Sequence, residues 1–369
     1  MSLKDTMLAR LAISAVATAA VTIAAASAFA AEPTKEATRV ETPATFQGPT
    51  EPAKAPKNIK VAIIPCAAAF HGCTAPADAA AEAAKALGWT VTQYDGGGDQ
   101  QKQNAAMLDA VSAGSNLILL MAIDPNFVQL GLAAAKKAGI PVLSGTDSTH
   151  SPNPIIKPTG DNLNYVLDVS PSLVEVGRRM ADWTIADSGG KANVLVIAAD
   201  EFPSVRAENQ GQLAGLKECS GCVVQPLMST TGSQVATTLG QQVVGYLQSH
   251  PEVNYVLGPF DPADVFIVNA IAQAGLGDRV KVVAELGDEQ NLDFIRNKRV
   301  QVADAAIDNT YIGYAVIDQA IRVLNGQPVI EPNGENVPFQ MLDETNLPPP
   351  GADWHASYDY KSAYLKLWQ

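Results

Sequence analysis

The chain has 369 residues, with 25 Lys and Arg against 38 Asp and Glu and a formal net charge of −13. That acidity disfavours nucleic acid as a partner, because like charge repels a phosphate backbone. A chain of this length exceeds what one hydrophobic core supports, so two lobes of ordinary domain size are expected.

At the amino terminus Lys4 and Arg10 precede an apolar run from Leu11 to Phe29 that closes on Ala28-Phe29-Ala30. This is the pattern of a secretory signal peptide over residues 1–30, cleaved after Ala30 or Ala31, rather than of a membrane anchor. No cysteine stands near the cleavage point to carry a lipid, so the mature chain is expected free in a periplasm. Residues 31–58, rich in Pro, Thr, Glu and Lys, hold almost nothing apolar to bury and read as a disordered leader.

The four cysteines form two close pairs, Cys66 with Cys73 and Cys219 with Cys222. In an oxidising compartment two local disulfides follow. The alternatives are a four-thiolate zinc site and a thioredoxin-like dithiol, which neither pair supports with a second CxxC in step with it. No metal and no cofactor is expected.

From Ile59 onward a short apolar run, a turn and an Ala-rich amphipathic stretch repeat, which is the βαβ signature of parallel sheets. The runs at 59–65, 89–94, 116–121 and 140–145 predict four strands, with helices over Ala77 to Leu87, Gln101 to Ala113 and Phe127 to Ala138. A second series follows at 192–198, 222–228, 254–259 and 280–286. The fold class is α/β, with two doubly wound parallel-sheet lobes in succession.

In open parallel sheets a ligand sits outside the carboxyl ends of the strands, where loops converge and helix N-termini present free N–H groups. The residues at those ends are Phe70 and His71, then Asp124, then Thr146 and Asp147. In the second unit they are Asp200, Glu201 and Arg206, then Phe260 and Asp261, then Glu285 and Asp288. Each Asp taken alone is equally well a helix cap. Their recurrence beside aromatic residues suits a hydroxyl-rich ligand, whose hydroxyls take carboxylates and an Arg fork while a ring covers its C–H face.

The segments KVAIIP, AAEAAKALGWTVTQYDGGGDQQKQNAAMLDAVSAGSNLILLMAIDP and AAKKAGIPVLSGTDS resemble, in order and spacing, the type I periplasmic binding proteins that include ribose- and galactose-binding proteins. That superfamily also contains the ligand domains of LacI-type repressors. The resemblance covers about 59 to 330 and is looser in its second half. It implies two lobes joined by three hinge crossings, near Val166, Ala306 and Val329. The N-terminal lobe would be 59–165 plus 306–328, and the C-terminal lobe 166–305 plus 329–369. Closure of the lobes around ligand is the implied motion.

Carried over by position, the resemblance puts Asp147 where sugar-binding members grip ring hydroxyls, with Asp124 beside it. Phe70 falls in the loop that holds stacking aromatics, although the family's paired aromatics and preceding Asn are missing from CAAAFHGC, which leaves the particular sugar open. Arg206 is the candidate Arg of the second lobe's first helix, with Glu208 as its rival three residues before Gly211. Phe260 and Asp261 match the family's polar loop, Glu285 or Asp288 its hinge-side acid, and Asp308 with Asn309 the last crossing. His71 is a candidate ligand contact or pH sensor if it faces the cleft. A Cys66 to Cys73 bridge would stiffen the lip of the site.

The implied function is capture of a small solute, a neutral sugar or polyol first and an autoinducer-like, aromatic or cationic molecule second. Delivery would be to the permease of an ABC importer, by a monomer. A chemoreceptor or sensor-kinase ectodomain is the alternative partner. An enzyme would need motifs that are absent: no G-x-S-x-G, H-E-x-x-H, Walker loop or G-x-G-x-x-G stands at a strand-to-helix turn. The GGGD at 96–99 reads as a turn. A repressor would need a DNA-binding module where the signal peptide lies.

Overall fold

The computed structural model describes residues 34–38, 43–147, 165–332 and 334–369. The expected signal peptide lies outside the described residues, and no helix among them is long and apolar enough to cross a membrane. A short helix, α1 (Lys35–Thr38), precedes the first sheet unit. That unit runs β1 (Lys60–Pro65), α2 (His71–Ala86), β2 (Thr90–Gln93), α3 (Gln100–Ser112), β3 (Leu117–Met121), α4 (Gln129–Ala138), β4 (Val142–Gly145) and β5 (Tyr165–Val169). Its strands pair in parallel in the order β2-β1-β3-β4-β5. Helices cover both faces of this sheet, which is why β3 reads LILLM without alternation and is buried throughout.

The second unit runs α5 (Leu173–Ser188), β6 (Asn193–Ala198), α6 (Pro203–Glu218), β7 (Val223–Val224) and β8 (Met228–Ser229). There follow α7 (Gly232–Gln234), which passes through a π turn into α8 (Gly240–Ser249), then β9 (Tyr255–Leu257), α9 (Asp261–Gln273), β10 (Lys281–Leu286), α10 (Glu289–Arg296) and β11 (Gln301–Ile307). The last elements are α11 (Asn309–Leu324), β12 (Phe339–Asp343) and α12 (Tyr360–Leu367). The second sheet has the order β12-β11-β10-β9-β6-β7, parallel except for β12 against β11.

Local chemistry sets the element ends. Asp99 caps α3 by accepting from the Gln101 and Lys102 amides, and Gly139, in the left-handed region at φ 71°, stops α4. Helix α2 begins at His71, six residues before the expected start, and runs through Pro76. The crossing of α5 and α6 depends on two glycines. A Cβ on Gly177 would meet the Glu208 carbonyl oxygen at 2.0 Å, and one on Gly211 would meet that of Val174 at 1.9 Å. The backbones therefore touch there, and the contact fixes the helix that carries Arg206 and Glu208.

The chain leaves the first sheet after Val169, three residues beyond the expected crossing at Val166. It returns at Asp308 to form α11, which packs on α2, and leaves again before β12 joins the second sheet. The carboxyl terminus departs from its expected place in the second lobe. Trp354 still donates to the Gly287 carbonyl beside α10, but α12 lies on α11 of the first lobe, where Trp368 Nε1 donates to Asp318 at 2.7 Å and Lys361 pairs with Glu82 at 2.9 Å. This is a fourth passage between the lobes.

The leader departs from expectation too. Ala53 and Ala55 donate to the carbonyls of Leu367 and Trp368, and Arg322 donates to that of Glu51. The Phe46 ring sits 5.0 Å from Tyr364 and 6.2 Å from Tyr311. One aromatic and a few backbone bonds anchor a segment whose composition alone offers little to bury. Upstream, α1 lies on α5, with Lys35 paired to Asp187 and 4.8 Å over the Trp183 ring.

Candidate functional site

Both pairs of cysteines are bridged, with Cα–Cα separations of 5.6 Å for Cys66–Cys73 and 5.4 Å for Cys219–Cys222. The first bridge closes the loop between β1 and α2 and so holds Phe70, the residue just before α2. Phe202 stands just before α6 and Phe260 just before α9, so three strand-to-helix turns each deliver one phenylalanine. The rings meet edge to face with centroids 6.3 Å (Phe70–Phe202), 5.6 Å (Phe70–Phe260) and 5.6 Å (Phe202–Phe260) apart. Phe70 belongs to the first lobe and the other two to the second, so the triad spans the cleft.

A cavity of about 40 Å³ lies at this junction, lined by the three rings together with Thr146, Ser204, Glu208, Glu285 and Leu286, among others. It shares Ala122 and Phe202 with a larger groove of about 280 Å³, lined also by Asp124 and Glu201. Arg206 crosses the cleft to donate to Asp124 at 2.7 Å and also donates to the Asp200 carbonyl. Farther along, His71 Nδ1 meets Asp288 at 2.8 Å and its Nε2 meets Asp353 at 3.5 Å. These three are the one group among the described residues with metal-ligating types and spacing. Each ring nitrogen faces its own carboxylate, which is the arrangement of an imidazolium between two acceptors rather than of a metal ligand. Burial opposes its charge, but the bond to Asp288 outweighs it and raises the His71 pKa to about 8.

At and behind the cavity wall the second lobe buries five carboxylates, Glu208 and Glu285 on the lining and Asp261, Asp264 and Asp304 off it. Burial is the first reason that all five hold their protons above the usual carboxylate range, and for Glu208, Asp261, Asp264 and Glu285 repulsion by neighbouring carboxylates is the second. Asp304 is raised to about 7. Glu208 accepts from Gln212 at 2.6 Å, Asp261 from the Asp288 amide at 2.7 Å, and Asp304 from Gln301 at 3.0 Å. Neither oxygen of Asp264 has a hydrogen-bond partner among the described residues. In the first lobe Asp147 is wholly buried beside Asp168, and burial pushes its pKa up.

Residues 61–328 match the family described as periplasmic binding protein domain. The chain belongs to that family. No curated protein sequence matches this binding protein. Solved structures share its fold. A solute-binding protein of an ABC transporter from Agrobacterium vitis, bound with alpha-D-tagatopyranose, is 20% identical with a TM-score of 0.70, over 79% of this chain and 97% of its own. A second from the same organism, with bound allitol, is 18% identical with a TM-score of 0.68, over 78% and 96%. A glucose-galactose binding protein from Geobacillus stearothermophilus is 14% identical with a TM-score of 0.68, over 80% and 100%.

In this binding protein most strand-end candidates fall into two groups. Phe70, Glu208, Phe260 and Glu285 line the cavity, with Asp261 buried behind them. Arg206 with Asp124, and His71 with Asp288, join the lobes. Asp308 belongs to neither group, in contrast to its expected place in the site. It caps α11 through the Tyr311 amide and also accepts from the Ala356 amide and the Tyr360 hydroxyl, which occupies its carboxylate with folding contacts. Asn309 is buried with its Oδ1 unpaired among the described residues, and Asp147, next to Thr146 in the chain, is buried and not part of the cavity wall. Sequence reasoning passed over Phe202, Asp264 and Asp304. Phe202 had a signal, since it stands before α6 as Phe70 stands before α2. Asp304 lies inside a strand and had none.

Proposed function

We propose that this periplasmic binding protein captures a small hydroxylated solute between its lobes and hands it to the permease of an ABC importer. The observation that carries the reading is the convergence of Phe70 from one lobe with Phe202 and Phe260 from the other over Glu208 and Glu285. Aromatic faces over carboxylates match the C–H and O–H surfaces of a sugar or polyol. The resemblance to solute-binding proteins holding alpha-D-tagatopyranose and allitol supports the same class. Opening of the lobes would admit a molecule larger than the closed cavity. On this reading the chain acts by binding and release, not by catalysis, and works as a monomer free in the periplasm after removal of its signal peptide.

The test is a thermal-shift screen of the protein lacking residues 1–31 against aldoses, ketoses, polyols and amino-substituted forms of each. A true ligand at a hundred times its Kd adds about 2.7 kcal/mol to the folded state. Stabilisation by at least one hydroxylated compound, abolished in Phe202→Ala, is expected. A screen without any stabilised sample contradicts the reading.

A further inference from the structure

The lining of the cavity is asymmetric in charge. Glu285 lies on the wall at 5% exposure, and every influence on it disfavours ionisation: burial, then Glu208, Asp304 and Asp288. Among the described residues no donor or cation opposes them. Glu208 is buried and, as the sixth residue of α6, lies too deep to be stabilised by the helix N-terminus. Asp261 and Asp264 occupy the first turn of α9, where the helix dipole does favour charge, so they are explained in part by the fold. Glu285 and Glu208 are not. Among the described residues, the cations of the cleft named above are already committed, Arg206 to Asp124 and His71 to Asp288 and Asp353.

Buried carboxylates without counter-charge are stable only if they stay protonated or gain a cation. A neutral hydroxyl donates one hydrogen bond and leaves their repulsion in place. An ammonium group donates three and cancels it, and the three phenylalanine faces around the same cavity attract a cation through their ring quadrupoles.

We propose that the solute carries a protonated amine on its hydroxylated frame, with the ammonium group between Glu208, Glu285 and the phenylalanine triad. The hydroxyls then face Thr146 and Asp124 on the first lobe. This rests on the solute-binding reading above and narrows its class to amino sugars and amino polyols. Binding displaces protons from the carboxylates, so affinity falls as pH is lowered.

The experiment is calorimetric titration with D-glucosamine, D-glucose and N-acetyl-D-glucosamine, and with 1-amino-1-deoxy-D-sorbitol against D-sorbitol. Each set keeps the frame and changes the charge. The expected result is binding of at least one amino compound at least about tenfold tighter than its neutral partner. Titrations in buffers of different ionisation enthalpy should show proton release on binding. Glu285→Gln, relieved of its like-charged neighbours, should melt higher than the parent without ligand and lose the preference for the amine. Neutral sugars or polyols bound as tightly as their amines overturn this inference and leave the solute-binding reading standing. No heat from any of the five compounds overturns the inference, whereas the binding reading is decided separately by the wider thermal-shift screen.

Discussion

The guanidinium of Arg206 in the second lobe donates to the carboxylate of Asp124 in the first at 2.7 Å, directly across the cleft. Asp124 is buried at 4% exposure, so removing its partner would strand a charge in the closed form, at a cost below the roughly 3–5 kcal/mol of a fully buried pair because Arg206 is 24% exposed. Opening the lobes relieves that loss by returning Asp124 to water. Arg206→Ala is therefore expected to favour the open form, with a larger radius of gyration by solution scattering and solute affinity lower by at least about tenfold. Arg206→Lys should keep part of the effect, because a single ammonium replaces a two-pronged fork. Unchanged scattering in Arg206→Ala would show that the pair does not hold the lobes together.

His71 adds a pH dependence to the same closure. Its pKa is raised from 6.5 to about 8 by Asp288, with Asp353 assisting from the second lobe. A raised pKa means that the contribution is fully present below pH 6.5 and is lost as pH rises through 8. Because the ring is 40% exposed, solvent screening limits the effect to no more than about 1 kcal/mol. Denaturant midpoints taken from pH 6 to 9 should show a decline above neutrality that His71→Gln removes. A decline of equal size in the variant assigns it to other groups.

The contact between α5 and α6 predicts a stability effect remote from any ligand. Gly211→Ala places a methyl 1.9 Å from the Val174 carbonyl oxygen, backbone that cannot rotate away. Separation of the helices should cost at least about 1–3 kcal/mol, the range for overpacked cores, and should displace Glu208. Gly245→Ala is the control, because its Cβ would meet nothing within 4 Å. Chemical denaturation of the two variants provides the comparison, and similar midpoints would refute the close approach.

Loop constraint predicts the role of the first disulfide. Cys66 and Cys73 enclose Phe70, so replacing both with Ser frees the ring that the first lobe contributes to the triad. The chain-entropy relation gives a loss of about 2–3 kcal/mol for so short a loop. Affinity should fall more than global stability alone explains, as titration at a temperature well below the melting point would reveal. Replacing Cys219 and Cys222, which close a turn after α6 away from the cavity, should lower stability and leave affinity unchanged. Equal affinity in the two double variants would remove the bridge from the site.

The order of strands and helices was legible because each element buries a face and its residues repeat with its own period. Predicted strands such as 116–121 and 280–286 agree with Leu117–Met121 and Lys281–Leu286 within a residue. Phe70, Phe260 and Glu285 were legible as strand-end residues for the same local reason. The paired cysteines were legible because bridges of sequence separation 7 and 3 need no distant partner.

Tertiary structure alone decided which carboxylates are caps, which are latches and which stand uncompensated. Asp308 and Asp288 look alike in sequence, yet one is enclosed by Tyr311, Ala356 and Tyr360 and the other meets His71 from 217 residues away. The return of α12 to the first lobe, and the docking of Phe46 on Tyr364, are likewise contacts between segments far apart in the chain. Periodicity reports whether a side chain is buried. It carries no record of which distant element buries it, and for a carboxylate that neighbour determines both its charge and its task.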